Sequence, residues 1–408
     1  MPRRRVAITG LGVISALGRN ASEFWTSLSQ GISGIGPIEL IDRTRLRFQN
    51  AAEVRGYRTS DYFPDDRTSL LDRFAEFGLI AAQESLRASA VEWTPELREK
   101  TAIVTGSAVG GQTTEDVAFW DLYRLQRSRV NPLSIPRIMA NALASQISME
   151  YGITGPAFTL STACSSASHA IGHAYWMVRE GLVDLSIAGG SEAPLSFANL
   201  KAWEAMRVVS PDTCRPFSKN RSGMILGEGG GILILEPWDA ALARGAEILG
   251  EVVGFGMSSD AHHITSPSAE GAGRAVKAAL GDAGIQPEMI GYINAHGTGT
   301  PANDSTETLA IRNVFGKHAD RLAVSSTKSM HGHALGAAGA LEAIATVLGL
   351  RNGLLPPTAN YAEPDPECDL DVIPNLPRPA SCEYALSNSF AFGGLNAVLA
   401  FRRPPARS

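Results

Sequence analysis

The sequence predicts an α/β fold, in which strands and helices alternate along the chain. Short runs rich in β-branched residues recur, and stretches with apolar residues at helical spacing separate them. Alternation of this kind is typical of largely parallel sheets with helices packed against their faces. The chain has 408 residues, of which 44% are hydrophobic, and this is sufficient for a large core and for more than one domain.

Each predicted element follows from its local pattern. Apolar and β-branched runs predict strands at residues 6–9, 102–105, 184–188, 231–235, 247–256, 291–294 and 323–325, with a final strand pair near 385–388 and 396–401. Helical periodicity predicts helices at residues 22–31, 70–88, 165–180, 270–283 and 305–315. Gly10 and Gly12 follow the first strand, and we predict a tight turn there. A dinucleotide-binding loop is disfavoured because Ser15 stands where its third glycine is required.

The chain divides into two halves at residue 245. Residues 237–245 have the pattern of a short helix that ends on Gly245, and a new strand follows at once. We therefore predict an N-terminal half of residues 1–245 and a C-terminal half of residues 246–408. No low-complexity linker separates the halves in the sequence, so we expect them to pack tightly together.

Composition argues against several classes of function. The formal net charge of -5 gives no electrostatic reason to expect nucleic acid or an anionic membrane as a partner. No uninterrupted apolar run approaches the ~20 residues of a membrane-spanning helix. The four cysteines are widely spaced and form no zinc-binding pattern, which predicts a reduced, cytoplasmic protein without a structural metal. They are Cys164, Cys214, Cys368 and Cys382.

Cys164 has the features of a nucleophile. The residues around it are small and polar, and the segment that contains it has the pattern of a strand leading directly into a helix. A thiol at a helix N-terminus meets the positive end of the helix dipole, which favours the reactive thiolate. The free backbone N–H groups of that terminus can also hold an oxyanion. The other three cysteines lack these features, and we predict that they are structural.

Two distant segments contribute histidines. His296 follows a predicted strand, where α/β proteins place their sites, and glycines flank the nearby Thr298. His333 precedes a helix of small residues, but spacing alone does not separate it from His331 as the functional residue. A thiol and two distant imidazoles are suited to carrying an acyl group and to forming a carbanion beside it. The sequence therefore indicates carbon–carbon bond formation on thioesters.

Two further residues have both a structural and a functional interpretation. Lys328 is either a solvated charge or a buried group that needs a partner, for which Glu342 is the candidate. Phe392 precedes two glycines near the C-terminus. Alone, this segment is a hairpin turn, although it can also supply a backbone N–H group and a mobile aromatic ring to a site.

Six sequence blocks together resemble one enzyme family. They are Thr162-Ala-Cys-Ser-Ser, Arg215-Pro-Phe-Ser-Lys-Asn-Arg-Ser-Gly, Leu226-Gly-Glu-Gly, His296-Gly-Thr-Gly-Thr, Lys328-Ser-Met-His-Gly-His and Asn388-Ser-Phe-Ala-Phe-Gly-Gly. Over essentially its whole length, the chain resembles the β-ketoacyl-[acyl carrier protein] synthases of the thiolase superfamily, in particular the elongating synthase II type. Residues 212–217, 356–361 and 368–372 resemble the nodulation-protein-E branch more closely still.

The resemblance implies a thiolase-like fold of two similar halves in five layers, α-β-α-β-α, and a homodimer. The implied reaction is the decarboxylative Claisen condensation of an enzyme-bound acyl group with malonyl-acyl carrier protein, in fatty acid or specialised lipid biosynthesis. Acyl carrier protein is the implied partner. No cofactor is implied, because the phosphopantetheine arm belongs to the carrier protein.

The resemblance also implies roles for individual residues. Cys164 takes the acyl group as a thioester, and His296 and His333 stabilise the enolate formed when the malonyl group loses carbon dioxide. The N–H groups of Cys164 and Phe392 form the oxyanion hole, and Lys328 gives electrostatic support. The implied substrate-binding residues are Thr298 and Thr300 on the pantetheine arm, Thr265 and Ser266 at its entrance, and Val109 at the end of the acyl pocket.

Three other interpretations fit the sequence less well. A starter synthase of the same fold uses a Cys/His/Asn triad, which the block at residues 328–333 argues against. A degradative thiolase needs a second catalytic cysteine in the loop where Phe392 stands. A non-catalytic partner subunit of a polyketide-like pathway lacks the nucleophile, whereas this chain has Cys164 and both histidines. Heterodimer formation with such a subunit remains an alternative to the homodimer.

Overall fold

A mixed ten-stranded sheet lies at the centre of the molecule. The computed structural model describes residues 3–405 of the chain. In chain order, the strands of the sheet are β1 (Val6–Ser15), β2 (Thr101–Gly106), β3 (Ala157–Leu160), β4 (Leu185–Glu192), β5 (Gly229–Pro237), β6 (Gly250–Ser259), β7 (Ile290–Asn294), β8 (Ala323–Ser325), β9 (Tyr384–Ala391) and β10 (Leu395–Arg402). Short strands outside the sheet pair Gly36–Pro37 with Asn50–Ala51, and Leu354–Leu355 with Arg378–Pro379.

The strand order repeats between the two halves of the sheet. The N-terminal half has the order β1-β5-β4-β2-β3, and the C-terminal half has the order β6-β10-β9-β7-β8. The halves meet where β1 pairs with β6 in antiparallel register, with Val6 opposite Val252 and Ile8 opposite Gly250. The two similar halves implied by the resemblance are therefore present. The predicted boundary at residue 245 falls in the loop before β6.

The sheet contains both parallel and antiparallel pairs. β2 is parallel to β3 and β4, and β7 is parallel to β8 and β9. The last strand of each half lies between two antiparallel neighbours, β5 between β1 and β4, and β10 between β6 and β9. The prediction of largely parallel sheets is therefore wrong. A crossover helix gives parallel pairing only where it returns the chain to the same end of the sheet, and these last strands run the opposite way.

The part of the chain between residues 3 and 405 has nine helices of eight or more residues. They are α1 (Ala21–Ser29), α2 (Arg73–Ser89), α3 (Gln112–Phe119), α4 (Ala142–Tyr151), α5 (Ser166–Arg179), α6 (Phe197–Met206), α7 (Ala269–Ala283), α8 (Pro301–Phe315) and α9 (Ala338–Asn352). The shorter α-helices are Asp65–Thr68, Pro95–Glu99, Ser134–Ile138, Trp238–Ala243 and Lys328–His331.

The helices form three layers, which alternate with the two halves of the sheet. α2 covers β1, β5 and β4 and contacts α4, whereas α7 covers β6 and β10 and contacts α8. α5 and α9 contact each other and strands of both halves, so they form the middle layer. α9 is buried over nearly its whole length, because it lies between the two halves of the sheet. The five layers implied by the resemblance are thus present.

Gly10 and Gly12 lie inside β1 and not in a turn after it, so the predicted turn is wrong. A β-carbon at Gly12 would lie 1.9 Å from the carbonyl oxygen of Ala81 on α2. A β-carbon at Gly256 in β6 would lie 2.2 Å from the carbonyl oxygen of Ala275 on α7. In both halves, glycine therefore allows a helix to approach the first strand closely.

Most other predicted elements are present with shifted ends. β1 extends to Ser15 and β4 to Glu192, both beyond their predicted ends, whereas α5 begins at Ser166 and ends at Arg179, within one residue of its predicted ends. α3, α4 and α6 have no predicted counterpart.

Candidate active site

Cys164 lies at the junction between β3 and α5, as the sequence predicts. Ala163 has a φ angle of 52°, a left-handed conformation that turns the chain sharply just before the thiol. The hydroxyl of Ser166 accepts a hydrogen bond from the N–H of Thr162 at 2.9 Å and closes this turn. Cys164 is 7% exposed and lines a cavity. The turn therefore presents the thiol at the N-terminus of α5.

His333 contacts this thiol directly, with its Nε2 at 3.1 Å from Cys164 Sγ. The backbone of His333 is fixed on both sides. Its N–H donates to the carbonyl oxygen of Ile225 at 2.7 Å, and its own carbonyl accepts the N–H of Gly227 at 2.9 Å. The segment before β5 thus holds His333 in place, and the imidazole reaches the sulfur across the cavity.

His331, which the sequence does not separate from His333, faces away from the cavity. Its Nδ1 donates to the carbonyl oxygen of Gly332 at 2.8 Å, and its Nε2 lies 3.0 Å from the hydroxyl oxygen of Thr327. Gly332 has a φ angle of 69° and turns the chain between the two histidines. Burial lowers the pKa of His331 to about 3. His331 is therefore a neutral packing group, and His333 is the histidine that reaches the thiol.

A buried ion pair holds His296 in one tautomer. Lys328 pairs with Glu342, and both side chains are fully buried. The ammonium of Lys328 also donates to the carbonyl oxygen of His296 at 2.7 Å and lies 3.3 Å from its Nδ1. An ammonium group only donates, so Nδ1 accepts and the ring proton is on Nε2. Lys328 is thus buried with Glu342 as its partner, and the pair fixes His296 as an Nε2–H donor.

A second buried carboxylate shapes the loop that carries His296. Glu307 on α8 accepts the N–H of His296 at 2.9 Å and the N–H of Gly297 at 2.8 Å. The amide of Asn388 on β9 donates to the same carboxylate at 3.1 Å. Sequence reasoning did not identify Glu307. It lies eleven residues after His296, on the helix that directly follows the loop.

Burial sets the protonation states of the reactive groups. It lowers the pKa values of His296 and His333 well below the usual histidine range, and nearby Lys328 lowers them further. Both imidazoles are therefore neutral at pH 7. Burial raises the pKa of Cys164 to about 11, although Lys328 and the N–H of Phe392 oppose this rise. This rise favours the protonated thiol at rest, whereas the dipole of α5 favours the thiolate.

Phe392 stands at the tip of the turn between β9 and β10. Gly393 and Gly394 follow it with φ angles of 82° and 70°, which only glycine adopts readily. The N–H of Gly393 donates to the carbonyl oxygen of Ile264 at 2.7 Å. The backbone N–H of Phe392 lowers the pKa of the Cys164 thiol. The tip thus directs a backbone donor at the thiol.

A cavity of about 200 Å³ joins these groups. The predicted site residues that line it are Cys164, His296, His333, Phe392, Thr298, Thr300, Thr265 and Ser266. The hydroxyl oxygens of Thr298 and Thr300 are 2.8 Å apart. The N–H groups of Thr265 and Ser266 both donate to His263 Nδ1 at 3.1 Å. Lys328 lies behind His296 and acts on the cavity through it.

The remaining wall of the cavity is mostly apolar. Its residues are Trp203, Met206, Val208, Met224, His263, Ile264, Pro267, Ala302, Asn303, Phe390, Ala391 and Gly394. They come from α6, from the segment before β5, from the loop after β6, from the first turn of α8, and from β9 and the turn after it. Each of these elements contributes only two or three residues, so no single local pattern marks the wall as a site.

Val109 is the one predicted substrate-binding residue outside this wall. Its N–H lies 3.3 Å from Glu192 Oε1, and the same carboxylate accepts the N–H of Gly336 at 3.0 Å. Glu192 is fully buried, and burial raises its pKa to about 7. Glu192 therefore ties the loop after β2 to the segment that follows His333. The role of Val109 in limiting acyl length stays a prediction.

Comparisons with known proteins identify the family of the chain. Residues 3–241 match the model of the beta-ketoacyl synthase N-terminal domain, and residues 249–362 match that of the C-terminal domain. Nodulation protein E of Rhizobium sp. (strain N33) is 46% identical over 402 residues, which cover 98% of this chain and 99% of that protein. The 3-oxoacyl-[acyl-carrier-protein] synthase 2 of Staphylococcus aureus (strain COL) is 39% identical over 407 residues, covering 98% of both chains.

A solved structure agrees with the fold. The ishigamide ketosynthase/chain length factor matches with a TM-score of 0.94 and 36% identity, covering 99% of this chain and 100% of that chain. The resemblance stated from the sequence is therefore confirmed, including its nodulation-protein-E features. The thiolase-like fold is confirmed as well. This chain belongs to the beta-ketoacyl synthase family, whose elongating condensing enzymes are its relatives.

Proposed function

We propose that this protein is a catalytically active elongating 3-oxoacyl-[acyl-carrier-protein] synthase. The observation that carries the proposal is the 3.1 Å contact between Cys164 Sγ and His333 Nε2 in a cavity that His296 also lines. The contact pairs a nucleophile with a base, and His296 adds a fixed N–H donor. A non-catalytic partner subunit has no use for such a set of groups, which favours the active enzyme.

In the first step, an acyl group moves from acyl carrier protein to Cys164. The neutral ring of His333 accepts the thiol proton through Nε2 as the sulfur attacks the thioester carbonyl. The N–H groups of Cys164 and Phe392 hold the oxyanion of the tetrahedral intermediate. The carbon–sulfur bond to the pantetheine arm then breaks, and the departing thiolate takes the proton back. The products are acyl-Cys164 and free carrier protein.

In the second step, malonyl-acyl carrier protein loses carbon dioxide. The electrons of the broken carbon–carbon bond move onto the thioester, whose oxygen becomes an enolate. The Nε2–H of His296 and the imidazole of His333 donate to this oxygen. A preorganised donor in a site without water contributes about 3–4 kcal/mol to such a transition state. Thr298 and Thr300 hold the pantetheine arm, with Thr265 and Ser266 at the cavity entrance.

In the third step, the enolate carbon attacks the carbonyl carbon of acyl-Cys164. The same two N–H groups hold the second oxyanion. When the carbon–sulfur bond to Cys164 breaks, the product is a 3-oxoacyl-carrier protein two carbons longer than the starting acyl group. The departing thiolate of Cys164 takes up a proton from solvent, because its own proton left with the free carrier protein in the first step. No oxidant, reductant or protein-bound cofactor takes part.

We infer that the protein forms a dimer through an exposed apolar surface, and that the partner is a second copy of this chain. The exposed side chains of this surface are Val117, Phe119, Trp120, Tyr123, Leu125, Val130, Ile135, Met139 and Met149. Phe158 on the edge strand β3 is exposed as well. The segments that carry these side chains contact one another, and clustered exposed apolar side chains mark an interaction surface. A homologous chain length factor is the alternative partner, and light scattering with mass analysis distinguishes the two assemblies.

We also propose that the protein is located in the cytoplasm. The four cysteines are unpaired, as expected for a reducing compartment. No helix in the described part of the chain is long and apolar enough to cross a membrane.

Intact-protein mass spectrometry tests the proposed function. Wild type and Cys164→Ala are incubated with a panel of acyl-carrier proteins that differ in chain length, and malonyl-carrier protein is then added. We expect an acyl adduct on wild type and none on Cys164→Ala. The adduct should disappear as a product two carbons longer forms. A folded wild-type protein that takes no acyl group from any donor would favour the non-catalytic partner subunit instead.

A further inference from the structure

Trp203 on α6 lines the cavity but has no part in the steps described above. Its indole ring stacks on the ring of Phe392, with ring centroids 6.0 Å apart and planes at 26°. We propose that Trp203 is a positioning residue, which holds Phe392 so that its N–H stays directed at Cys164. The proposal rests on the proposed function, because it assigns a purpose to that N–H group.

Trp203 belongs to a part of the structure that is held firmly. Leu200 on the same helix is fully buried. The ammonium of Lys201 donates to the carbonyl oxygen of Arg45 at 3.0 Å, and the carboxylate of Glu204 accepts the N–H of Arg47. These contacts flank Trp203 in sequence and join α6 to a separate loop. The indole ring therefore projects from a fixed support.

The turn that carries Phe392 has fewer constraints. Gly393 and Gly394 both have left-handed φ angles, and glycine permits several alternatives to that conformation at little cost. The backbone contacts of the turn go to the segment of Asp260 and Ile264: the N–H of Gly393 donates to Ile264, and the carbonyl of Gly394 accepts from Asp260. Ile264 is itself 69% exposed. Stacking on Trp203 thus ties the turn to a firmly held helix.

Loss of this stack should affect some steps and not others. An aromatic pair of this geometry shifts an equilibrium by about two- to tenfold. Without Trp203, Phe392 spends more time away from Cys164, so steps that use its N–H slow by up to that factor. These steps are acyl loading and condensation. Malonyl decarboxylation depends on the histidines and should continue. Alkylation of Cys164 by iodoacetamide needs access and no oxyanion donor. Its rate per thiolate, taken from the pH profile of each protein, should therefore become faster.

The experiment compares Trp203→Ala, Trp203→Phe and a matched control, Trp93→Ala. Trp93 is also half-buried and pairs with Tyr151 at 6.5 Å and 32°, but it lies away from the cavity. Single-turnover acyl loading, malonyl decarboxylation and iodoacetamide alkylation of Cys164 are measured for each protein. For Trp203→Ala, we expect slower loading, faster alkylation and unchanged decarboxylation, with the fold-fall in loading multiplied by the fold-rise in alkylation equal to about two to ten. Trp203→Phe, which keeps a ring, and Trp93→Ala should match wild type in all three.

Two results overturn the proposal. One is loading and alkylation at wild-type rates in Trp203→Ala. The other is an equal fall in loading and decarboxylation, which would make Trp203 a general packing residue. Failure of the proposed function gives a different result. In that case, wild type neither loads nor decarboxylates, while alkylation of Cys164 still becomes faster in Trp203→Ala and supports the positioning of Phe392.

Discussion

The two histidines of the cavity have different surroundings, although both are buried and neutral. His296 Nδ1 faces the ammonium of Lys328 at 3.3 Å, which leaves its proton on Nε2. His333 Nε2 faces the sulfur of Cys164 at 3.1 Å, and its Nδ1 has no hydrogen-bond partner among the described residues. One imidazole is thus held in a single tautomer, whereas the other is not.

This difference in surroundings fits the catalytic role proposed for each imidazole. His296 needs only to donate to the thioester oxygen of the malonyl group, and a fixed Nε2–H suits that task. His333 has to accept a proton from the thiol in one step and to donate in another, which a fixed tautomer would prevent. The charge of Lys328 is therefore placed against one histidine, and the second histidine is left free to change its proton position.

The largest effect should come from removal of the nucleophile. Cys164→Gln should lower condensation more than about a thousandfold, because no thioester forms. Malonyl decarboxylation should persist, since both histidines remain. Product formation and release of carbon dioxide are measured separately, with Cys382→Ser as a control that removes a half-buried thiol elsewhere. If a folded Cys164→Gln protein lost both activities, the separation of thiol and histidine roles would be wrong.

The next effect concerns the charge behind His296. Lys328→Met leaves Glu342 buried without a partner, which should lower the free energy of unfolding by about 3–5 kcal/mol. It also frees the tautomer of His296, so decarboxylation should fall by about a hundredfold. The double variant Lys328→Met/Glu342→Leu separates these effects. Denaturant unfolding should return near wild type, whereas decarboxylation should stay low. Recovery of both would mean that the ion pair serves stability alone.

A smaller effect concerns the thiol beside His333. Because burial raises the pKa of Cys164 to about 11, its thiolate fraction should rise about tenfold per pH unit between pH 7 and pH 10. The rate of iodoacetamide alkylation should follow that rise. Intact mass spectrometry measures the rate, and Cys164→Ala gives the background from other cysteines. A plateau below pH 9 would show that the helix N-terminus stabilises the thiolate at rest, as the sequence alone suggested.

The sequence predicted those parts of the site that depend on local structure. Cys164 at a strand-to-helix junction and His296 at the end of a strand are both readable from neighbouring residues, because element ends are local features. His331 and His333 were not separable, since the turn at Gly332 decides which of them faces the cavity. Trp203 had no signal at all, because α6 contributes to the cavity only through its tertiary position.

The fold shows the same limit. Strands and helices were predictable from periodicity, but the direction of strand pairing was not, because β5 pairs with β1 and β10 pairs with β6, strands that are far away in sequence. Gly10 and Gly12 gave a false signal for a turn. Their true cause is the close approach of α2, which is a tertiary contact and leaves no trace in the adjacent sequence.

Single-turnover rates for His296→Ala and His333→Ala test the division of labour most directly. Acyl loading onto Cys164 and malonyl decarboxylation are measured for both. His296→Ala should lower decarboxylation by about a hundredfold and leave loading near wild type, because only a fixed donor is lost. His333→Ala should lower both steps by about a hundredfold or more, because a base and a donor are lost together. Loading at the wild-type rate in His333→Ala, or equal defects in the two variants, would contradict the account.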